Sequence, residues 1–422
     1  MKCNKIGGFV LENNKNFKSN FIWNMLGTGL NAFNSLFFLI AVTRINGIND
    51  AGIFTLAFST ACILYVIGIY AGRVFQVTEI NKNVTDREYI CNRILSCILM
   101  MIITILFVIL RKYNFYKSSI FILLAFYKCL EAFSDVLYGI MQKKYLLNIA
   151  GKSYFIKGLL SIITFVLVDI ITNNLILSCA SIIIIWIIIL VFYDIKNVIK
   201  LINQDTKINF YNVWGIFKSG FFVFAITFLG LYIMNAPKYA IDNFLAEDMQ
   251  AIFGILIMPA TVMALAGQFL MHPYLNDIVN LYNNKEVKSL KKLIFKITLY
   301  IIGFGVIASL AAYFLGVPVL NLVYGIDLNG YQIHLVAIIV ASTLYNIGVI
   351  YSSVLTTIRK TFIQFAIYIF ISLFALISSY VLTLKNGING STISYFLIMF
   401  LQFTFYAIIT NNIIDKIKDK NI

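Results

Sequence analysis

Polar stretches are nearly missing from this chain, and so are the motifs that mark soluble chemistry. Only 12% of the 422 residues are charged while 60% are hydrophobic, and the mean hydropathy is +0.88. That balance excludes a soluble enzyme with one apolar core and implies a polytopic membrane protein. There is no GxxxxGK[ST] loop, and so no sign of direct ATP hydrolysis. HExxH and CxxC pairs are absent, and the two histidines, His272 and His334, stand far apart with no ligand cluster beside either, so no metal and no cofactor are expected. The longest connections are about twenty residues, too short for a catalytic domain, and the chain is not expected to be an enzyme.

Other scarcities narrow the reading further. The first twenty residues are polar and basic and lack an apolar run with a small-residue cleavage site, so the first spanning helix is expected to act as the insertion signal. The six cysteines, at 3, 62, 91, 97, 129 and 179, fall mostly in apolar runs and read as small core residues. The four prolines, Pro237, Pro259, Pro273 and Pro318, are all in the second half. Pro259 predicts a kink inside a helix, and Pro273 predicts a helix end. Gly303 and Gly305 could allow close helix approach, a feature too common in membrane helices to carry a mechanism.

What is abundant is apolar segments of spanning length. They predict twelve transmembrane helices, near 20–42, 52–71, 90–110, 118–141, 158–171, 175–193, 214–234, 251–271, 293–315, 333–355, 362–384 and 391–413. The fifth is short and needs residues from Lys152 onward to span. Net charge is +15, but the basic residues are dispersed in short interhelical segments, which argues against nucleic acid and for topology determinants. With both termini cytoplasmic, 26 of the 33 Lys and Arg lie in inside segments. Outside segments hold Arg44, Arg111, Lys112, Lys117, Lys238 and Lys385, and Lys128 lies within a helix.

The chain also reads as doubled. The first helix ends at Arg44 and is followed by INGINDAGIF; the seventh ends near Lys238 and is followed by YAIDNFLAEDMQAIFG, an offset of about 200 residues. The expected architecture is all-α: two six-helix lobes around a central cavity, 1–200 and 201–422, divided in the basic loop 194–213.

One helix breaks the apolar pattern. The stretch SSIFILLAFYKCLEAFSDVLYGIM, 118–141, carries Lys128, Glu131 and Asp135 on one face at spacings of three and four. A charged group near the bilayer centre costs at least about 2.5–3.5 kcal/mol, so that face is expected to meet a bundle interior or a watery cavity. Two readings stand: a self-neutralising set of end-of-helix charges, or a functional cavity. Lys128 lies about 15 Å of rise from the outer start of this helix, near the midplane, with Glu131 as nearest partner. Other basic candidates are Arg44, Arg73 and Lys238, with Arg359 a weaker one. Arg73 reads equally well as an anchor at the inner end of helix two, and Lys238 with Asp242 as a local i, i+4 pair. Asn31 and Asn34 form a polar stripe deep in helix one and need a partner, either another helix or a sugar.

Two stretches carry a family resemblance: NFIWNMLGTGLNAFNSLFFLIAVTRINGINDAGIFTLAFSTACILYVIGIYAGRVFQVTE (20–79) and NAPKYAIDNFLAEDMQAIFGILIMPATVMALAGQFLMHPYLNDI (235–278). With the helix number, the halving and the terminal orientation, the chain resembles the polysaccharide-repeat (O-antigen or capsule) flippases, Wzx-like members of the MOP exporter superfamily. The resemblance implies alternating access and a cargo of undecaprenyl-pyrophosphate-linked oligosaccharide moved outward across the bacterial cytoplasmic membrane. It further implies H+ or Na+ as a possible coupling ion, with Glu131, Asp135 and Asp242 as candidates. A polysaccharide polymerase and a chain-length regulator are the implied protein partners. A pyrophosphate head group calls for fixed cations, here Arg44, Arg73, Lys128 and Lys238, and sugars call for amides such as Asn31 and Asn34. The alternatives are a cation-coupled multidrug exporter of the same superfamily, which would favour a carboxylate-dominated cavity, and a membrane polymerase or ligase of sugar repeat units, which the missing external loop disfavours.

Overall fold

The computed structural model describes the backbone of residues 3–70, 72–78, 84–202 and 207–418, and the side chains of all of these except 3–17, 272, 417 and 418. Lys2, Lys82 and Lys420, and the side chains of Cys3, Lys5, Lys15, His272 and Lys418, all used in the sequence reading, lie outside what is described. The described chain is helical throughout, as a backbone in lipid must be to satisfy its own N–H and C=O groups. It divides into two compact units, Met1–Phe224 and Ala225–Ile422.

The first unit holds α1 (Cys3–Ile45), α2 (Ile48–Ile69), a short α3 (Gly72–Thr78), α4 (Asp86–Arg111), α5 (Phe115–Lys143), α6 (Leu147–Thr172) and α7 (Leu175–Ile189). From α7 the chain runs through a π-helical stretch, Leu190–Ile195, into α8 (Lys196–Ile199). α9 (Phe210–Phe244) straddles the division. After it come α10 (Glu247–Met271), α11 (Leu275–Asn283), α12 (Val287–Ala311), α13 (Val317–Tyr324), α14 (Gln332–Thr357) and α15 (Thr361–Lys418).

Ten of the described helices have the length and apolarity to cross a membrane. Two more crossings follow from geometry. α15 folds back at Gly387, whose φ of 56° and ψ of −135° break the helix. Close by, a Cβ on Gly390 would lie 1.9 Å from the Leu382 carbonyl oxygen, so this hairpin requires glycine. α5, 29 residues long, is denied a clean apolar run only by its charges. Its connections to α4 and α6 are three residues each, 112–114 and 144–146, so it must return alongside them. The fold is therefore all-α with twelve crossings, as expected from the sequence.

Local sequence sets the ends of these helices. Thr85 and Glu88 form a capping box at α4, with Glu88 N–H donating to Thr85 Oγ1 at 3.3 Å and Thr85 N–H to Glu88 Oε2 at 2.7 Å. Asn114 caps α5 and Asn174 caps α7, while Lys112 and Asn173 close α4 and α6 in the left-handed conformation. Glu88 also accepts from Asn209 N–H at 2.9 Å and Asn212 Nδ2 at 3.0 Å, fixing the start of α9 against α4.

Several boundaries depart from the sequence reading. The fifth crossing is not short, since α6 begins at Leu147. The seventh runs ten residues beyond 234, to Phe244, with Pro237 inside it. Lys238 and Asp242 therefore lie in the last two turns of α9, still at the end of the seventh helix, where the sequence reading put them. Arg73 does not end helix two but sits in the separate α3, after a break at Tyr70 with φ of 48°. Pro273 follows the end of α10, as read, and Pro259 lies inside that helix. The doubled connection is present: α1 ends at Ile45 and α9 at Phe244, α2 starts at Ile48 and α10 at Glu247, both pairs offset by 199 residues.

α1 and α6 pack backbone to backbone. A Cβ on Gly151 would lie 2.5 Å from the Trp23 carbonyl carbon, and one on Gly27 would lie 2.8 Å from the Gly151 oxygen. Small residues permit this approach, and dispersion and polar contacts hold it where the hydrophobic effect cannot. That crossing positions the polar face of α6 toward α5.

Candidate functional site: a charged interior in the first unit

The middle of α5 carries Tyr127, Lys128, Glu131, Ser134, Asp135 and Tyr138, successive members of one helical stripe with neighbours at three and four residues. Three polar clusters grow from it. In the first, Lys128 Nζ meets Glu131 Oε2 at 2.7 Å, and Tyr154 of α6 donates its hydroxyl to Glu131 Oε1 at 2.8 Å. Lys128 lies about 20 Å of rise from either end of α5, so it cannot reach water along its own stem. This is the pair the sequence predicted.

The second cluster departs from that reading. Asp135 does not join Lys128 in a self-neutralising triplet; it lies 3.4 Å from Arg93 Nη2 on α4 and 3.8 Å from Arg73 Nε on α3. The reason is rotational: on α5 the direction of Asp135 is set by the helices packed against it, and α3 and α4 both supply guanidinium groups. Arg93 is 4% exposed, and its Nη1 is buried with no hydrogen-bond partner among the described residues. Gln76, also on α3, donates to the Val136 carbonyl at 3.2 Å and fixes α3 on α5.

The third cluster was not legible. Lys157 and Asp194, assigned by the sequence reading to an inner loop and to the start of the dividing loop, are both fully buried and form an ion pair. Lys157 Nζ also donates to Ser134 Oγ at 2.7 Å and Tyr138 OH at 3.3 Å, and sits 4.7 Å from the Trp186 ring centre. Asp194 lies in the π-helical stretch after α7, which locally rotates the helix and turns the carboxylate inward. The signal available in the sequence was weak: one lysine ten residues into α6 and one aspartate at the end of an unusually long apolar run. The three clusters together hold four cations, Arg73, Arg93, Lys128 and Lys157, and three carboxylates, Glu131, Asp135 and Asp194, for a formal sum of +1.

The remaining candidates fall elsewhere. Asn31 donates to the carbonyls of Gly27 at 2.9 Å and Tyr154 at 2.8 Å, and Asn34 donates to Asn31 Oδ1 at 2.9 Å, so the predicted polar stripe joins α1 to α6. Arg44 is exposed in the last turn of α1. Arg359 is exposed in the turn after α14. Lys238, 5% exposed, and Asp242 one turn later belong to the part of α9 within the second unit. Among the described residues, no group of three or more His, Cys, Asp or Glu side chains is placed to hold a metal ion.

Solved structures share this architecture. The inward-facing conformation of a multidrug resistance MATE family transporter of the MOP superfamily superposes with a TM-score of 0.73 at 11% identity, covering 94% of this chain and all of that one. The chain has the fold of that transporter. The outward-facing conformation of a MATE transporter of the superfamily gives a TM-score of 0.60 at 12% identity over 96% of each chain. The bent form of the Vibrio cholerae MATE transporter VcmN gives 0.60 at 13% identity, over 96% of this chain and 98% of that one. In sequence, the chain is 24% identical over 407 residues to the capsular polysaccharide biosynthesis protein CapF of Staphylococcus aureus, covering 93% of this chain and 98% of that protein. No family model matches. A multi-pass membrane protein with the MOP fold and a capsule-biosynthesis relative is what the sequence resemblance implied, and that resemblance holds.

Proposed function

We propose that this MOP-fold protein is a flippase that moves undecaprenyl-pyrophosphate-linked oligosaccharide repeat units outward across the bacterial cytoplasmic membrane, by alternating access, for capsular or O-antigen polysaccharide. The observation that carries the reading is the cationic excess around α5, with one face of Arg93 unengaged. A pyrophosphate crossing a low-dielectric region needs donors that are charged and already desolvated, and guanidinium groups give it bidentate, charge-assisted bonds. Arg73, Arg93 and Lys128 are the proposed head-group ligands. Asp135 bridges the two arginines and offsets one of their two charges until cargo displaces it, and Glu131, released from Lys128, is the proposed H+ or Na+ acceptor. Asn31 and Asn34 serve helix packing, since their amide donors are already engaged. A groove of about 920 Å³ walled by Tyr70, Trp214, Phe217, Phe221 and Phe222, with Lys218 among its lining residues, suits the isoprenoid tail. Polymerase and chain-length regulator would act on the product outside the membrane.

The MATE likeness supports a second reading, export of organic cations. The lysine salt-bridged to the central carboxylate argues against it, because a cationic cargo would have to displace a charge of its own sign.

The test compares Lys128→Ala, Lys128→Arg, and the swapped pair Lys128→Glu with Glu131→Lys, each checked for membrane abundance and for surface polysaccharide. Loss with Ala, retention with Arg and failure of the swap are expected. Wild-type polysaccharide from the swapped pair would mean that the two residues merely neutralise each other, and Lys128 would leave the cargo path.

A further inference from the structure

Three aromatic rings and a carboxylate converge on one ammonium group in the first unit. Lys128 Nζ lies 5.1 Å from the Phe58 ring centre, 5.2 Å from Tyr127 and 5.7 Å from Tyr65, in addition to 2.7 Å from Glu131 Oε2. Each ring is within the roughly 6 Å over which a cation is held by a π face. The walls come from three helices: Phe58 and Tyr65, two turns apart on α2; Tyr127 and Glu131, one turn apart on α5; and Tyr154 on α6, which fixes the second oxygen of Glu131 at 2.8 Å. Only 10–11% of the Lys128 and Glu131 side chains is accessible. An aromatic wall closed by one carboxylate is the chemistry that recognises an organic ammonium ion, and its walls owe nothing to the lysine that fills it.

We propose that this cage is an organic-cation site occupied by the chain's own lysine, and that Lys128 thereby determines specificity by closing the first unit to cationic organic molecules. The inference rests on the reading above that the cargo is an anion. A tethered ammonium acts at an effective concentration of millimolar or more, so a dilute free ammonium cannot compete with it. Truncating the lysine leaves Glu131 uncompensated among aromatic rings, and an external cation of the same shape then becomes the favoured partner.

The experiment uses the full chain in detergent, with n-butylammonium, which matches the lysine side chain in length and charge, and n-pentanol as its neutral counterpart. Lys128→Ala is expected to show a saturable rise in thermal midpoint with millimolar butylammonium and none with pentanol, while wild type shows neither. Adding Glu131→Gln to Lys128→Ala should weaken binding by at least about tenfold, the equivalent of losing one charge-assisted contact, and adding Phe58→Leu should weaken it by about threefold to tenfold. An equal rise in wild type, a rise that survives Glu131→Gln, or pentanol acting as well as butylammonium would overturn the proposal. If Lys128→Ala does not accumulate, its abundance in cells grown with and without butylammonium becomes the readout: recovery supports the cage and unchanged low abundance overturns it. Because binding is read without cargo, the two readings separate. Butylammonium binding with full polysaccharide export keeps the cage and removes Lys128 from the cargo path, whereas loss of export without binding discards the cage and leaves the flippase reading standing.

Discussion

The two units solve the same packing problem with different chemistry. Among the described residues the first unit buries seven charged side chains, Glu88, Arg93, Lys117, Glu131, Lys157, Asp169 and Asp194, and the second buries one, Lys238. The second unit instead uses hydroxyls and amides. The two arms of α15 are joined by Ser379 with Ser394 at 2.9 Å, Ser378 with Ser394 at 3.1 Å and Thr383 with Ser391 at 2.9 Å. α14 is tied to α10 by Ser342 donating to the Ala260 carbonyl at 3.1 Å and Asn346 to the Met263 carbonyl at 3.0 Å. Neutral contacts of this kind hold helices together cheaply, because each partner loses little on leaving water. Buried charges are costly and are retained where something must be done with charge. The contrast teaches that six-helix units of similar build need not share the same electrostatics, and here the first is the one that buries its charges.

Breaking the costliest contact should show the contrast most strongly. Lys157→Ala leaves Asp194 buried without its counter-charge and is expected to destabilise the protein by about 3–5 kcal/mol, seen as a large drop in thermal midpoint in detergent. Lys157→Met combined with Asp194→Leu should recover most of the loss. A single variant as stable as wild type would show that water reaches the pair and that the first unit's interior is less dry than the geometry implies.

Smaller effects sharpen the comparison. At Gly151 an added methyl meets the backbone of α1, which cannot turn aside, so Gly151→Ala should cost about 1–3 kcal/mol. At Gly267 in the second unit the nearest atoms are the Asn346 carboxamide, at 2.5 Å, a side chain that can give way at the cost of its bond to the Met263 carbonyl, where backbone cannot; Gly267→Ala should cost less. The reverse order in melting experiments would mean that the α10–α14 contact is the more rigid one. Least of all, Ser394→Ala should cost about 0.6 kcal/mol, the scale of interhelical hydroxyl bonds in membranes. A loss as large as that of Lys157→Ala would erase the distinction between the units.

Some of the site was readable before any geometry. Lys128 and Glu131 are three apart on one apolar helix, so helical periodicity alone makes them neighbours. Asp135 is one turn beyond Glu131 on the same stripe, yet it turns to Arg73 and Arg93, because periodicity orders residues along a stripe and does not say which neighbouring helix faces each part of it. Lys157, Arg93 and Asp194 were hidden for another reason. Each lies near the end of an apolar run, where a hydropathy reading cannot tell a residue in the interfacial loop from one turned inward. The extension of α6 to Leu147 and the π-helical stretch 190–195 are what turn Lys157 and Asp194 toward each other.

The sequence by itself determined the number and order of the crossings and the short connections between them. Each of these is a local matter: a segment of about twenty apolar residues partitions into lipid and satisfies its own backbone whatever its neighbours do. The partners of the buried charges were decided only in three dimensions. Asp135 and Arg93 are 42 residues apart and Lys157 and Asp194 are 37 apart, on different helices. Which pairs form depends on the rotation of each helix about its axis, and that rotation is set by side-chain packing and close backbone contacts such as Gly151 on Trp23, about which the pattern of apolar residues along the chain carries no information.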